Sequence, residues 1–305
     1  MQSIKINYNK SSIKRQENVL NTVLHILFVI MSLVFIYPII LTLVISFTSE
    51  ASLANKGYAM IPEKWSLDGY RFALSGNGIL NAYKVTIAAS VCGTLLSVFV
   101  MLLYAYPLSR KDFKYRTGFT FYAYFTTLFS GGLVPWYIVC TRFLHINNTF
   151  WALFVPSLVG SFNILILRTF IKGTIPFEII ESAKIDGSSE FGIFFKMIIP
   201  LSKAGIATIA LFQLLGYWND YYLPMMLVTD KRLYNLQFYL QSIFLDIEAL
   251  TSGQYGSAAM ASANNIPKET TRFAMCVLTM GPILVVYPFF QKYFVQGLTV
   301  GAVKG

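Results

Sequence analysis

Long apolar runs alternate with short polar ones along the whole chain. Runs free or nearly free of charge cover residues 19–47, 85–106, 119–139, 150–167, 204–228 and 273–290. Each is near or above the roughly 17 residues that a helix needs to cross a bilayer. The pattern predicts an all-α polytopic membrane protein with six transmembrane helices. Residues 1–18 read as a polar arm, 19–295 as the membrane domain and 296–305 as a terminal tail. Outer loops fall at 48–84 and 229–272, and the second is long enough to hold one or two short helices.

The polar segment between the fourth and fifth runs, residues 174–200, carries the most local information. Glu178, Glu181, Lys184, Asp186, Glu190 and Lys196 require it to lie on an exposed surface. Pro176 suits a first helical turn, where its missing N–H has no partner to lose. Phe177, Ile180 and Ala183 follow at helical spacing, and Asp186-Gly187 supplies a left-handed stop. Ser188 or Ser189 caps a second helix, on which Phe191, Phe194, Phe195 and Ile198 recur at i, i+3, i+4 and i+7. The segment therefore predicts two short helices joined by a turn, an amphipathic elbow against one membrane face.

Glu181-Ser182-Ala183, three residues, Gly187, nine residues and Met197-Ile198-Ile199-Pro200 follow one spacing. That spacing resembles the EAA loop of ABC importer permeases, with Ser182, Met197 and Ile199 as size-conserving departures. The likeness extends to Asn265-Ile266-Pro267, to the run from Val286 to Phe294, and to the ending Gly301-Ala302-Val303-Lys304-Gly305. Its flavour is the carbohydrate-uptake branch, of the maltose-transporter type, nearest the subgroup serving complex oligosaccharides and glycans. The resemblance implies that the elbow is a cytoplasmic coupling helix between spans four and five, which docks on a separate ATPase. Its contact residues are then Glu181, Ser182, Ala183, Asp186, Gly187, Phe191, Phe194 and Pro200, with Val303, Lys304 and Gly305 of the tail reaching toward the ATPase dimer. It further implies a second, non-identical permease subunit, an extracytoplasmic sugar-binding protein, and a bacterial cytoplasmic membrane. No cofactor is expected on this chain, because it has no G-x-x-x-x-G-K-[ST], and Mg-ATP belongs to the partner.

Charge adds orientation. With the N-terminus inside, 15 of the 24 Lys and Arg residues fall in cytoplasmic segments, and the other nine sit mostly in long outer loops, which orientation rules discount. Both termini are expected in the cytoplasm. At 55% hydrophobic and 12% charged, the chain departs far from the roughly 25% charge of soluble domains. The net charge of +10 clusters at span ends, where it meets anionic lipid headgroups, and no nucleic-acid module is visible. The first run, at 29 residues, exceeds the roughly 7–15 of a signal-peptide core and reads as a retained span. Cys92, Cys140 and Cys276 read as small packing residues, and His25 and His145 have no metal-ligand spacing.

Asp220 is the lone carboxylate within a predicted span, in a stretch holding Gln213, Tyr217, Trp218, Asn219, Tyr221 and Tyr222. An ionisable group at membrane depth usually faces a cavity. Aromatic faces beside amide and carboxylate groups suit sugar rings and hydroxyls, which makes this a candidate substrate path. The equal alternative is an interfacial aromatic belt with Asp220 at headgroup level. Ala89, Gly93 and Ser97 form a small-residue ladder, read first as packing within the subunit. Tyr58, Trp65, Tyr70 and Phe72 of the first outer loop read first as loop packing, with a binding-protein contact as the alternative. Two other classes stay in view: an ion-coupled secondary sugar transporter, which wants internal repeats and several intramembrane charges, and a membrane enzyme, which wants a nucleophile or metal constellation. The chain offers neither set.

Overall fold

The computed structural model describes residues 10–75, 78–251 and 267–302. Their secondary structure is helical, joined by turns and loops, and the one β feature among them is an isolated bridge between Thr48 and Trp65. They form two compact units.

The first unit holds residues up to 73 together with 267–277. Its long helix α1 (Lys10–Ser46) begins inside the segment read as a polar arm. From Val19 to Ile40 its large apolar side chains are exposed, as expected of a helix that meets lipid rather than water. Two short helices follow, α2 (Glu50–Lys56), capped by Ser49, and α3 (Asp68–Leu74). The Glu50 carboxylate accepts from the backbone N–H groups of Glu269 and Thr270 at 3.1 and 3.0 Å, and from the Thr270 hydroxyl at 2.8 Å. A negative group thereby satisfies free donors at the start of the last helix, Lys268–Ala302. Tyr58 and Tyr70 are engaged in the same unit, Tyr58 with Glu269 and Phe273, and Tyr70 with Ser46 and Phe47.

The second unit is built on α4 (Gly78–Ser109), which packs along two later helices, Ser161–Thr174 and Lys203–Trp218. The third apolar run is interrupted: α5 (Arg116–Leu128) and α6 (Leu133–Ile138), the latter continued by a π turn at Val139–Phe143, meet at 114°. Ser130-Gly131-Gly132 stands at that break, with Gly132 at a φ of +84°. The fourth run starts as 3-10 turns around Pro156 and bends by 59° into α7 (Ser161–Thr174). The elbow follows as α8 (Phe177–Ile185), α9 (Glu190–Ile193), a π turn (Phe194–Ile198) and α10 (Ile199–Leu201). Next come α11 (Lys203–Trp218), α12 (Tyr222–Leu227), α13 (Leu236–Thr251) and α14 (Lys268–Ala302), whose residues from 278 belong here.

One expectation needs correction. The run 204–228 is not one helix, because α11 stops at Trp218, and the chain restarts only at Tyr222, behind the capping carboxylate of Asp220. Residues 296–302 of the expected tail are helical, as the end of α14. Among the described residues, three helices are long and apolar enough to cross a membrane unbroken: Glu17–Ser46, Gly78–Ser109 and Lys268–Val286. Counting each bent pair as one crossing raises the number to six.

The small-residue ladder is internal packing. Ala89, Gly93 and Ser97 are all buried, and Ser97 Oγ shares a 2.8 Å hydrogen bond with the Tyr217 hydroxyl of α11.

Candidate functional site: the elbow and the break after α11

The chain leaves α7 through Pro176, whose ψ of 140° makes it the N-cap of α8 rather than part of its first turn. Glu178 in the first turn and Lys184 in the last suit the helix dipole. At the other end, Gly187 N–H donates to Lys184 O at 3.0 Å and Ser188 N–H to Ala183 O at 2.9 Å, the paired bonds of a Schellman stop. Gly187 has a φ of +81°, and a β-carbon there would meet nothing within 4 Å. Gly187→Ala therefore carries a backbone cost alone, roughly 1–2 kcal/mol, which a lowered melting temperature of the purified protein would register. Ser189 then caps α9, its Oγ accepting from Gly192 N–H at 3.1 Å.

The buried face of the second helix differs from the one expected. Ile193, Phe194 and Ile198 are buried, whereas Phe191 and Phe195 are 72% and 50% exposed. The widened π turn at 194–198 shifts the register. Pro200 gives the reason, since it cannot donate to Lys196 O and its ring crowds that carbonyl. With Ile180 and Ala183, the inward residues join one core with Leu102, Ala105 and Leu108 of α4 and Leu167 and Ile171 of α7. The outward side shows Glu181, Ser182, Asp186, Gly187 and Pro200, with Ile185 86% exposed. Glu181 has no hydrogen-bond or ion-pair partner among the described residues.

A charged cluster ties the elbow to the end of α4, and the sequence reading missed it. Arg110 is only 5% exposed, and its Nη1 donates to Glu190 at 3.0 Å and to the Tyr106 hydroxyl at 2.8 Å. Its other nitrogens grip the Asp112 carboxylate in a two-point pair. Lys184 closes the ring, 2.7 Å from Glu190 and 3.2 Å from Asp112. The bond from Arg110, with help from Lys184 against some burial, holds the Asp112 carboxyl down at about 2. The bond to Glu190 holds the Lys184 ammonium above its usual range. A depressed carboxyl stabilises above its ordinary value near 4 and loses that contribution only as pH falls toward 2, so Asp112 is fully engaged at neutral pH. Beside the cluster lies an open cavity of about 360 Å³, rimmed by Leu103, Pro107, Phe113 and Phe191.

The expected path residues separate into two groups. Tyr217 and Trp218 are buried, with the Tyr217 hydroxyl held by Ser97 and the indole N–H of Trp218 donating to Thr279 O at 3.1 Å. Gln213 is half-buried beside Met101. Asn219, Tyr221 and Tyr222 are exposed, and Gln237 donates to Asn219 at 3.2 Å. Asp220 Oδ1 accepts from the N–H groups of Tyr222 and Leu223 at 2.8 and 3.2 Å, which caps α12. Its other oxygen has no partner among the described residues. Val303, Lys304 and Gly305 lie outside the described residues.

The polygalacturonan/rhamnogalacturonan transport system permease protein YtcP of Bacillus subtilis (strain 168) is 38% identical over 275 residues, covering 90% of this chain and 94% of that protein. The chain belongs to the permease subunits of carbohydrate ABC importers. The arabinooligosaccharides permease AraQ of the same organism is 28% identical over 301 residues, 95% of this permease and 98% of AraQ. Among solved structures, a bacterial ABC transporter involved in import of the acidic polysaccharide alginate matches with a TM-score of 0.76 at 28% identity, over 92% of this chain and 98% of that one. No family model matches the permease. The relatives named here are transport proteins rather than enzymes. In this setting the cluster around Arg110 had one legible sign, a basic-acidic string directly after an apolar run, which the orientation count absorbed as loop charge.

Proposed function

We propose that this permease forms half of the translocation path of an ATP-driven oligosaccharide importer, coupled through residues 181–200 to a separate ATPase that holds the Mg-ATP. The observation that carries the reading is the elbow's outward face. Its inner side is anchored in the core, while Glu181 is left unpaired and Ile185 and Phe191 stand out at 86% and 72% exposure. Exposed apolar groups around a free charge are what a docking contact needs and what a solvated loop does not. In this reading the two bent pairs before the elbow are one crossing each and α11 crosses without the 190–201 half of its pair, giving six with the three unbroken helices, and both termini and the elbow lie in the cytoplasm with Val303–Gly305 near the ATPase dimer. The partners are a second, non-identical permease, the ATPase dimer and an extracytoplasmic sugar-binding protein. The exposed and half-buried groups at the break, Asn219, Asp220 and Tyr221, face the sugar, with Tyr217 and Trp218 behind them. Polygalacturonan and alginate, named for two of the similar proteins, make oligosaccharides of acidic sugars the first substrates to try.

Glu181→Arg reverses the free charge without disturbing any internal bond. Recovery of the ATPase with the tagged permease is expected to fall about tenfold, with membrane insertion unchanged. Equal recovery from wild type and variant would remove the elbow as the docking site.

A further inference from the structure

Both helices of the elbow are held at one point on the end of α4. Lys184 of α8 pairs with Asp112, and Glu190, which opens α9, pairs with Arg110, both just after α4 ends at Ser109, while Lys184 and Glu190 also pair with each other. Arg110 is buried and its planar fork engages Asp112, Glu190 and Tyr106 together, a geometry that a lysine cannot reproduce. The apolar core under the elbow already fixes its position. What the cluster adds is directional, charge-assisted bonding between the elbow and one particular helix.

That helix has a second tight junction further along. Ser97 is hydrogen-bonded to Tyr217, and Gly93 lets Phe154 and Tyr217 approach so closely that a β-carbon would sit 2.9 Å from each. Tyr217 is followed within two residues by the break where α11 ends and Asp220 caps α12. We infer that the Arg110 cluster locks the elbow to α4 as one rigid body, so that ATPase-driven displacement of the elbow reaches the break at residues 219–221 through α4. This rests on the docking role of the elbow. The physical warrant is a continuous series of stiff elements joined by short bonds, rather than proximity alone.

The test uses the assembled importer in lipid, in a permease whose Cys92, Cys140 and Cys276 are replaced by alanine and whose exposed Tyr221 is replaced by cysteine. The probe is a membrane-impermeant maleimide, with labelling rates compared without nucleotide and with Mg-ATP trapped by vanadate. Trapping is expected to change the rate at position 221. Glu190→Gln, and separately Lys184→Gln, should shrink that change about tenfold, while ATPase recovery and vanadate trapping stay as in the parent. Either substitution removes a charge from a half-exposed side chain and leaves the buried arginine in place, so folding is spared. Three outcomes overturn the inference: no nucleotide response in the parent, an undiminished response in both variants, or loss of assembly in both. Undiminished response with normal ATPase recovery leaves the docking reading intact, since that reading fails only if Glu181→Arg retains the ATPase.

Discussion

Gly93→Val is expected to remove most folded permease from the membrane, while Gly216→Ala, on the helix facing it, is expected to be neutral or mildly stabilising. Gly93 lies in the middle of α4, where a β-carbon would stand 2.9 Å from Phe154 Cβ and 2.9 Å from Tyr217 Cε2. Neither neighbour can give way. Phe154 is met at the atom attached to its backbone, and the Tyr217 ring is tethered by its hydroxyl to Ser97 at 2.8 Å and to the carbonyls of Ser157 and Phe154 at 3.3 and 3.4 Å. Overpacking of this kind costs typically 1–3 kcal/mol per group, and the tethering places Gly93→Val at about 3 kcal/mol or above. A marginally stable fold of roughly 5–15 kcal/mol feels such a loss as reduced yield and an earlier melt. At Gly216, by contrast, a β-carbon would meet nothing within 4 Å, and alanine removes helix-interior glycine at a gain of about 0.5–1 kcal/mol. Yield and melting temperature of the two detergent-purified variants check the pair. Similar behaviour of both would mean that α4 and α11 do not pack as described.

The elbow's turn chemistry was legible because each part of it is local. Gly187 supplies a positive φ and Ser189 a side-chain acceptor within a few residues, and the structure uses both. The inward face was misjudged because helical spacing assumes 3.6 residues per turn, and the π turn before Pro200 breaks that assumption, leaving Phe195 outward, while Phe191 in the turn before it is also exposed. The Arg110 cluster was invisible for a different reason. Its partners lie up to 80 positions apart in sequence, and a charge string after an apolar run reads equally well as a lipid-facing anchor. The break after Trp218 was masked because apolar residues resume at Leu223 and carry the run on to Val228, so composition alone shows one span. Asp220 stands out for one property, charge at depth, and its use as a cap emerges only once the short helix behind it is seen.

That capping geometry separates two substitutions that look alike in sequence. Trp218→Ala is expected to act on the fold. Its ring is 7% exposed, lines an apolar cavity of about 420 Å³ with Leu214, Pro282 and Ile283, and donates to Thr279 O, so truncation enlarges the cavity and loses the bond together. Removing a buried tryptophan costs roughly 3–5 kcal/mol, and the assembled complex should fall severalfold in yield with uptake per surviving complex little changed. Asp220→Asn should do the reverse. Asparagine caps a helix about as well as aspartate, and its carbonyl oxygen can keep both N–H bonds from Tyr222 and Leu223. What disappears is the charge, carried in part by the oxygen that has no partner in the described chain. If that oxygen faces the sugar, as proposed, substrate-stimulated ATP hydrolysis and uptake per complex should drop about tenfold, the scale of a charge-assisted hydrogen bond of roughly 1.5–3 kcal/mol, while basal hydrolysis and yield hold. The measurement is uptake normalised to assembled complex, with oligogalacturonides and alginate oligosaccharides as the first probes and basal hydrolysis as the internal control. Wild-type uptake by Asp220→Asn would confine Asp220 to holding the end of α12, and would move the search for sugar contacts to other exposed groups of the permease.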